Sequence, residues 1–71
     1  MAQQITADLA ANVWKVLVSE GDEVSAGDTL AILESMKMEI PVEAETAGTV
    51  TKLAISEGDV LEEGALIAEI S

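Results

Sequence analysis

The chain has 71 residues, enough for one small domain, with three Lys/Arg and fourteen Asp/Glu for a formal net charge of −11, and it has neither cysteine nor histidine. That inventory excludes a disulfide framework, a thiolate zinc site, a Ser-His-Asp triad and a Cys-His nucleophile. An acidic balance with a single aromatic residue argues against nucleic acid and against anionic membranes as partners, and favours a soluble monomer whose charged partners are basic.

The first residues, MAQQITADLA, have neither a basic start nor an apolar centre, so they do not read as a signal peptide. A cytoplasmic location is the expectation, as is a first strand that begins almost at Met1 with no linker before it. No uninterrupted apolar run exceeds the four residues Ala65 to Ala68, far short of a membrane span. Val, Ile and Thr supply 18 of the residues, which favours pleated structure. The first clear strand signal is Val13–Val18. Its alternation is imperfect: strict period two puts Val13 and Leu17 on one face and Trp14, Val16 and Val18 on the other, which predicts a bulge or strong twist. Gly21 and Gly27 mark turns that need positive φ, and Thr29–Leu33 is a second strand. Gly58 and Gly64 punctuate the second half in the same way. No segment combines a cap, a 3.6-residue apolar stripe and sufficient glycine-free length to be a helix. The coarse reading is all-β: about eight short strands in two antiparallel sheets closed on each other. The core is built from Val, Ile, Leu and Ala, and Trp14 is the one large ring.

The chain repeats itself. Ser19-Glu20-Gly21-Asp22 returns as Ser56-Glu57-Gly58-Asp59, an offset of 37 residues. At that offset Ala7 meets Ala44, Ala10 meets Ala47, Val13 meets Val50, Lys15 meets Lys52, Gly27 meets Gly64 and Ala31 meets Ala68. Apolar positions match in kind, as Ile5 with Val42, Leu30 with Ile67 and Leu33 with Ile70. Residues 5–34 align with 42–71 without a gap, so the single domain 1–71 is two half-repeats joined through a central hairpin at 35–41.

That seam holds Glu34-Ser35-Met36-Lys37-Met38. An isolated lysine is most often a solvated charge, and two methionines two residues apart can be core residues sharing one strand face, with the lysine on the other. Lys37, however, has no counterpart in the other half. The neighbouring acids Glu34, Glu39, Glu43 and Glu45 attract an ammonium, whereas a lysine acting as a nucleophile in its own site needs burial or neighbouring cations. Lys37 is therefore placed to be presented to another protein's active site.

Glu-Ser-Met-Lys-Met at 34–38 resembles the attachment signature of biotinyl domains, usually Glu-Ala-Met-Lys-Met. The two-fold repeat with the lysine in the central hairpin, the Gly-Asp-x-Val-x-x-Gly-Asp stretch at 21–28 and the Gly-x-Val at 48–50 match that family too. The resemblance covers essentially the whole chain and is greatest to small stand-alone biotin/lipoyl attachment proteins. It implies a flattened β-barrel of two four-stranded sheets with a pseudo-two-fold repeat. It further implies covalent biotin on Lys37, attached by a biotin protein ligase, with Met36 and Met38 as ligase contacts and Glu34 as a family-matched flank. A biotin carboxyl carrier of this kind serves biotin carboxylase and carboxyltransferase subunits and performs no catalysis itself.

The chain departs from the family pattern in places. Ser35 stands for the usual Ala. Asp8 and Ala11 stand where Pro and Gly are common, a change expected to alter one turn in the first half. There is no room for the inserted thumb loop of some carriers. Lipoyl domains share the plan, but with Asp-Lys-Ala-type flanks, so lipoate on the same lysine is the runner-up. An unmodified acidic interaction module is the alternative of a different class. An enzyme would need a catalytic set, and adjacent carboxylates such as Glu62-Glu63 are a solvated pair. With no Gly-Lys-Ser/Thr phosphate loop, ATP belongs to a partner.

Overall fold

The computed structural model describes residues 3–71. The expectation of a first strand starting almost at Met1 thus falls in part outside the described residues. Eight strands follow one another: β1 Gln3–Thr6, β2 Ala11–Val16, β3 Glu23–Val24, β4 Thr29–Ser35, β5 Met38–Glu43, β6 Gly48–Leu53, β7 Val60–Leu61 and β8 Leu66–Ile70. They form two four-stranded antiparallel sheets, β1-β8-β6-β3 and β5-β4-β2-β7. The body measures 32 × 17 × 17 Å. No helix among the described residues is long and apolar enough to cross a membrane.

The 37-residue offset carries β1 onto β5, β2 onto β6, β3 onto β7 and β4 onto β8, so it exchanges the two sheets. Each sheet takes two strands from each half. The symmetry reaches individual hydrogen bonds. Gly21 N–H donates to Val50 O at 2.7 Å, and Gly58 N–H donates to Val13 O at 2.9 Å. Val50 N–H donates to Asp22 O and Val13 N–H to Asp59 O, both at 2.8 Å. Gly21 and Gly58 have φ of 94° and 93°, where a side chain is strained, and this conformation lets each amide reach the opposite half. The Asp side chains of the repeated Ser-Glu-Gly-Asp stretches close their own turns: Asp22 Oδ2 accepts from Ser19 N–H at 2.8 Å and Asp59 Oδ2 from Ser56 N–H at 2.9 Å.

The core repeats as well. Leu30 with Ile67, Leu33 with Ile70, Val13 with Val50 and Ala31 with Ala68 are equivalent and buried, and no polar side chain is buried among the described residues. Trp14 is outside this core and half exposed.

The predicted irregularity in the first long strand is a register shift between Val13 and Lys15 against β4, mirrored between Val50 and Lys52 against β8. It overturns the facing expected from strict alternation. The extra residue at Trp14 resets the phase, so Val13, Val16 and Val18 all face the core, while Trp14 and Leu17 face solvent at 45% and 50% exposure. The strand also begins two residues earlier and ends two earlier than the apolar run suggested. Ala11 opens β2 opposite Leu61, so its substitution for glycine alters no turn. The β3–β4 connection is the four residues 25–28, as short as its partner at 62–65.

Candidate functional site: the β4–β5 turn

The seam is tighter than the hairpin expected at 35–41. Ladder pairing runs Leu33 with Ile40, Glu34 with Glu39 and Ser35 with Met38, leaving Met36 and Lys37 as the whole turn. Residues 38–41 belong to β5. Both turn residues have positive φ, 52° for Met36 and 65° for Lys37, as a two-residue hairpin with the twist of its strands requires. Asn-Gly is the usual solution for such a turn, and side chains with a Cβ are strained there. The strain sits on the residues that the sequence marked as functional. With no glycine or asparagine in the seam, nothing local in the sequence announced this backbone.

The turn also revises the picture of the methionines. Met36 lies in the turn and is 92% exposed, so it shares no strand face with Met38. Met38 continues the face of Ile40 and Val42, but it extends past the end of the core and is 62% exposed. Two apolar side chains thus flank an exposed Lys37 in water, an arrangement that favours contact with another surface. Glu34 stands on the outer face of β4, between Asn12 of β2 and Glu39 of β5. Directly opposed carboxylates weaken a ladder, so this pair does not serve the hairpin's stability. A shallow recess beside the turn is lined by Ala11, Asn12, Met36 and Val60.

No group of three or more carboxylates that could hold a metal occurs among the described residues. The site is an exposed amine on a strained, rigidly based turn. It is free to form an amide at Nζ and is devoid of the enclosed surroundings that activate a nucleophile.

This combination defines an attachment domain: a two-fold β-barrel that presents one lysine at its central hairpin. The model of the biotin/lipoyl family, described as biotin-requiring enzyme, matches residues 2–70. The chain is 63% identical over 70 residues to a biotinylated protein TB7.3 homolog of Mycolicibacterium smegmatis, covering 99% of each. It is 55% identical over 71 residues to the TB7.3 homolog of Mycobacterium leprae, covering 100% of both. Among solved structures it superimposes on the urea carboxylase of Kluyveromyces lactis with a TM-score of 0.92 and 37% identity, over 100% of this chain and 6% of that one. The chain belongs to the biotin/lipoyl attachment family.

Proposed function

We propose that the chain is a non-catalytic biotin carrier, loaded at Lys37 by a biotin protein ligase and serving a biotin-dependent carboxylase. The observation that carries this reading is the exposed Lys37 at a left-handed two-residue turn, at the one point of the chain that the repeat does not duplicate. Once the ligase removes its proton, Nζ attacks the activated carboxyl of biotin, forms an amide and expels the leaving group. The ammonium charge is lost in the step. Bound there, biotin supplies a ring nitrogen that takes up and gives back a carboxyl group. The residues of this chain hold the tether. The β4–β5 ladder fixes the base of the turn, and the turn holds Lys37 exposed beyond the last ladder pair, Ser35 with Met38. Met36 and Met38 give the ligase an apolar grip beside an otherwise acidic surface, with Glu34 as a flanking contact. The protein then keeps the group at high effective concentration for the biotin carboxylase and carboxyltransferase sites of its partners. It acts as a cytoplasmic monomer.

The test is the intact mass of the chain purified from its own cells, with the modified peptide fragmented. One biotinyl addition on Lys37, lost in Lys37→Arg with the fold retained, is the expected result. A biotinyl group elsewhere, or an unmodified chain in cells whose other biotinyl proteins are loaded, overturns the reading. A lipoyl addition on Lys37 keeps the carrier and replaces its chemistry.

A further inference from the structure

The repeat supplies an internal control for surface composition. Any exposed position needed only by the fold has an equivalent 37 residues away in the same environment. Compared in this way, the outer faces of the two sheets differ: β5-β4-β2-β7 carries large apolar side chains across its middle, and it carries the carboxylates Glu34 and Glu43 where the other half of the repeat has Ser71 and Thr6. Across the middle of β1-β8-β6 lie Gln4, Glu69 and Lys52, with Gln4 Nε2 donating to Glu69 Oε1 at 3.1 Å. At the equivalent positions across β5-β4-β2 lie Pro41, Ile32 and Lys15. Trp14 stands for Thr51, Leu17 for Ala54, and Val60, 78% exposed, for Glu23. Lys15 Nζ sits 5.1 Å from the Trp14 ring centroid, which places that ring on the same outer face. The face is continuous with the β4–β5 turn. Ile32 lies three residues behind Ser35, about 10 Å along the strand.

We propose that the outer face of β5-β4-β2-β7, centred on Trp14, Leu17, Ile32, Pro41 and Val60, is the docking surface for the enzyme that carboxylates the loaded arm. This rests on the carrier reading above. In the other half Thr51, Glu69, Gln4 and Glu23 fill the positions of Trp14, Ile32, Pro41 and Val60, and the small Ala54 fills that of Leu17, so folding does not require large apolar side chains there. An exposed Trp with aliphatic neighbours is the composition of an interface centre. The rim holds Glu34 and Glu39, on a chain of net charge −11, so the complementary surface has an apolar centre and a basic edge. A second copy of this chain would bring the same acids face to face and is the poorer occupant. A partner seated here grips the barrel behind the turn and leaves Lys37 projecting beyond the contact.

The experiment loads biotin onto the wild type, a Trp14→Thr/Ile32→Glu double variant that copies the other sheet, the milder Pro41→Gln, and Glu69→Gln as a control on the opposite face. The probe is the purified biotin carboxylase subunit from the same cells, with ATP and bicarbonate, and turnover of free biotin is followed in parallel. For the double variant kcat/KM should fall about tenfold or more, and for Pro41→Gln in the same direction. Thermal midpoint, ligase loading rate and free-biotin turnover should be unchanged, and Glu69→Gln should match wild type. Equal kcat/KM for wild type and both face variants overturns the docking surface alone. So does an equal loss in Glu69→Gln, or a wild-type dimer in sedimentation that the double variant abolishes. A wild-type chain that takes no biotin, or is not carboxylated once loaded, overturns the carrier reading and the docking surface with it.

Discussion

The carboxylate of Glu20 accepts a hydrogen bond from the backbone N–H of Leu53 at 3.0 Å, so a loop of the first half is tied to a strand of the second. Its equivalent, Glu57, reaches Val16 N–H at 3.3 Å. Both amides lie just beyond the bulges at Trp14 and Thr51. The repeated Ser-Glu-Gly-Asp stretch is therefore a joint between halves as well as a turn. Glu20→Ala should lower stability by about 1 kcal/mol, a fall of about 4–8 °C in Tm. Glu57→Ala should lower it less, because its bond is longer. Calorimetry of the two variants checks the order.

Gly48 and Ala11 are equivalent, yet only one tolerates a side chain. A Cβ at Gly48 would fall 2.7 Å from Ile70 Cγ2 and 2.8 Å from the Ser71 carbonyl oxygen. Gly48→Ala should cost about 1–3 kcal/mol through overpacking, seen as a lower urea midpoint at unchanged m-value. Ala11→Gly should cost about 0.5–1 kcal/mol, through lost burial and added backbone freedom.

The left-handed turn sets function against stability. Replacing Met36-Lys37 with Asn-Gly gives the turn its favoured residues and should stabilise the barrel by about 1–2 kcal/mol. Thermal unfolding should show the gain, and the variant should take no biotin from the ligase. A lower Tm would show that the native side chains support the turn.

Met36→Ala should shift Tm by no more than about 2–4 °C, since the side chain is 92% exposed. Its loading by the ligase should slow clearly. Initial rates of biotin incorporation at matched protein concentrations decide it, and unchanged rates would remove Met36 from the recognition surface.

Much of this architecture was legible because the chain states it twice. The 37-residue offset found in the residues reappears as paired hydrogen bonds at Gly21 and Gly58, and the turn glycines carry the positive φ expected of them. Two things were not legible. Strict alternation put Trp14, Val16 and Val18 together, and only the register against β4 shows where the extra residue falls. The two-residue turn was masked because Met and Lys carry none of the usual signals for left-handed backbone. There the geometry is imposed by the ladder from Leu33–Ile40 to Ser35–Met38 rather than chosen locally.

The exchange of sheets by the two-fold has one more consequence. Two separate copies of a half, each about 34 residues long, would contribute β1 to β4 apiece and assemble the same barrel about a true axis. The molecule is a ring of two equivalent arcs of different sequence, joined at the β4–β5 junction. Lys37 rides on the closed junction, and the two-fold carries that place onto the open one, where Gln3 pairs with Ile70. Any domain spliced on at either terminus would therefore enter at the pole opposite the arm, and the barrel itself would be the spacer between them.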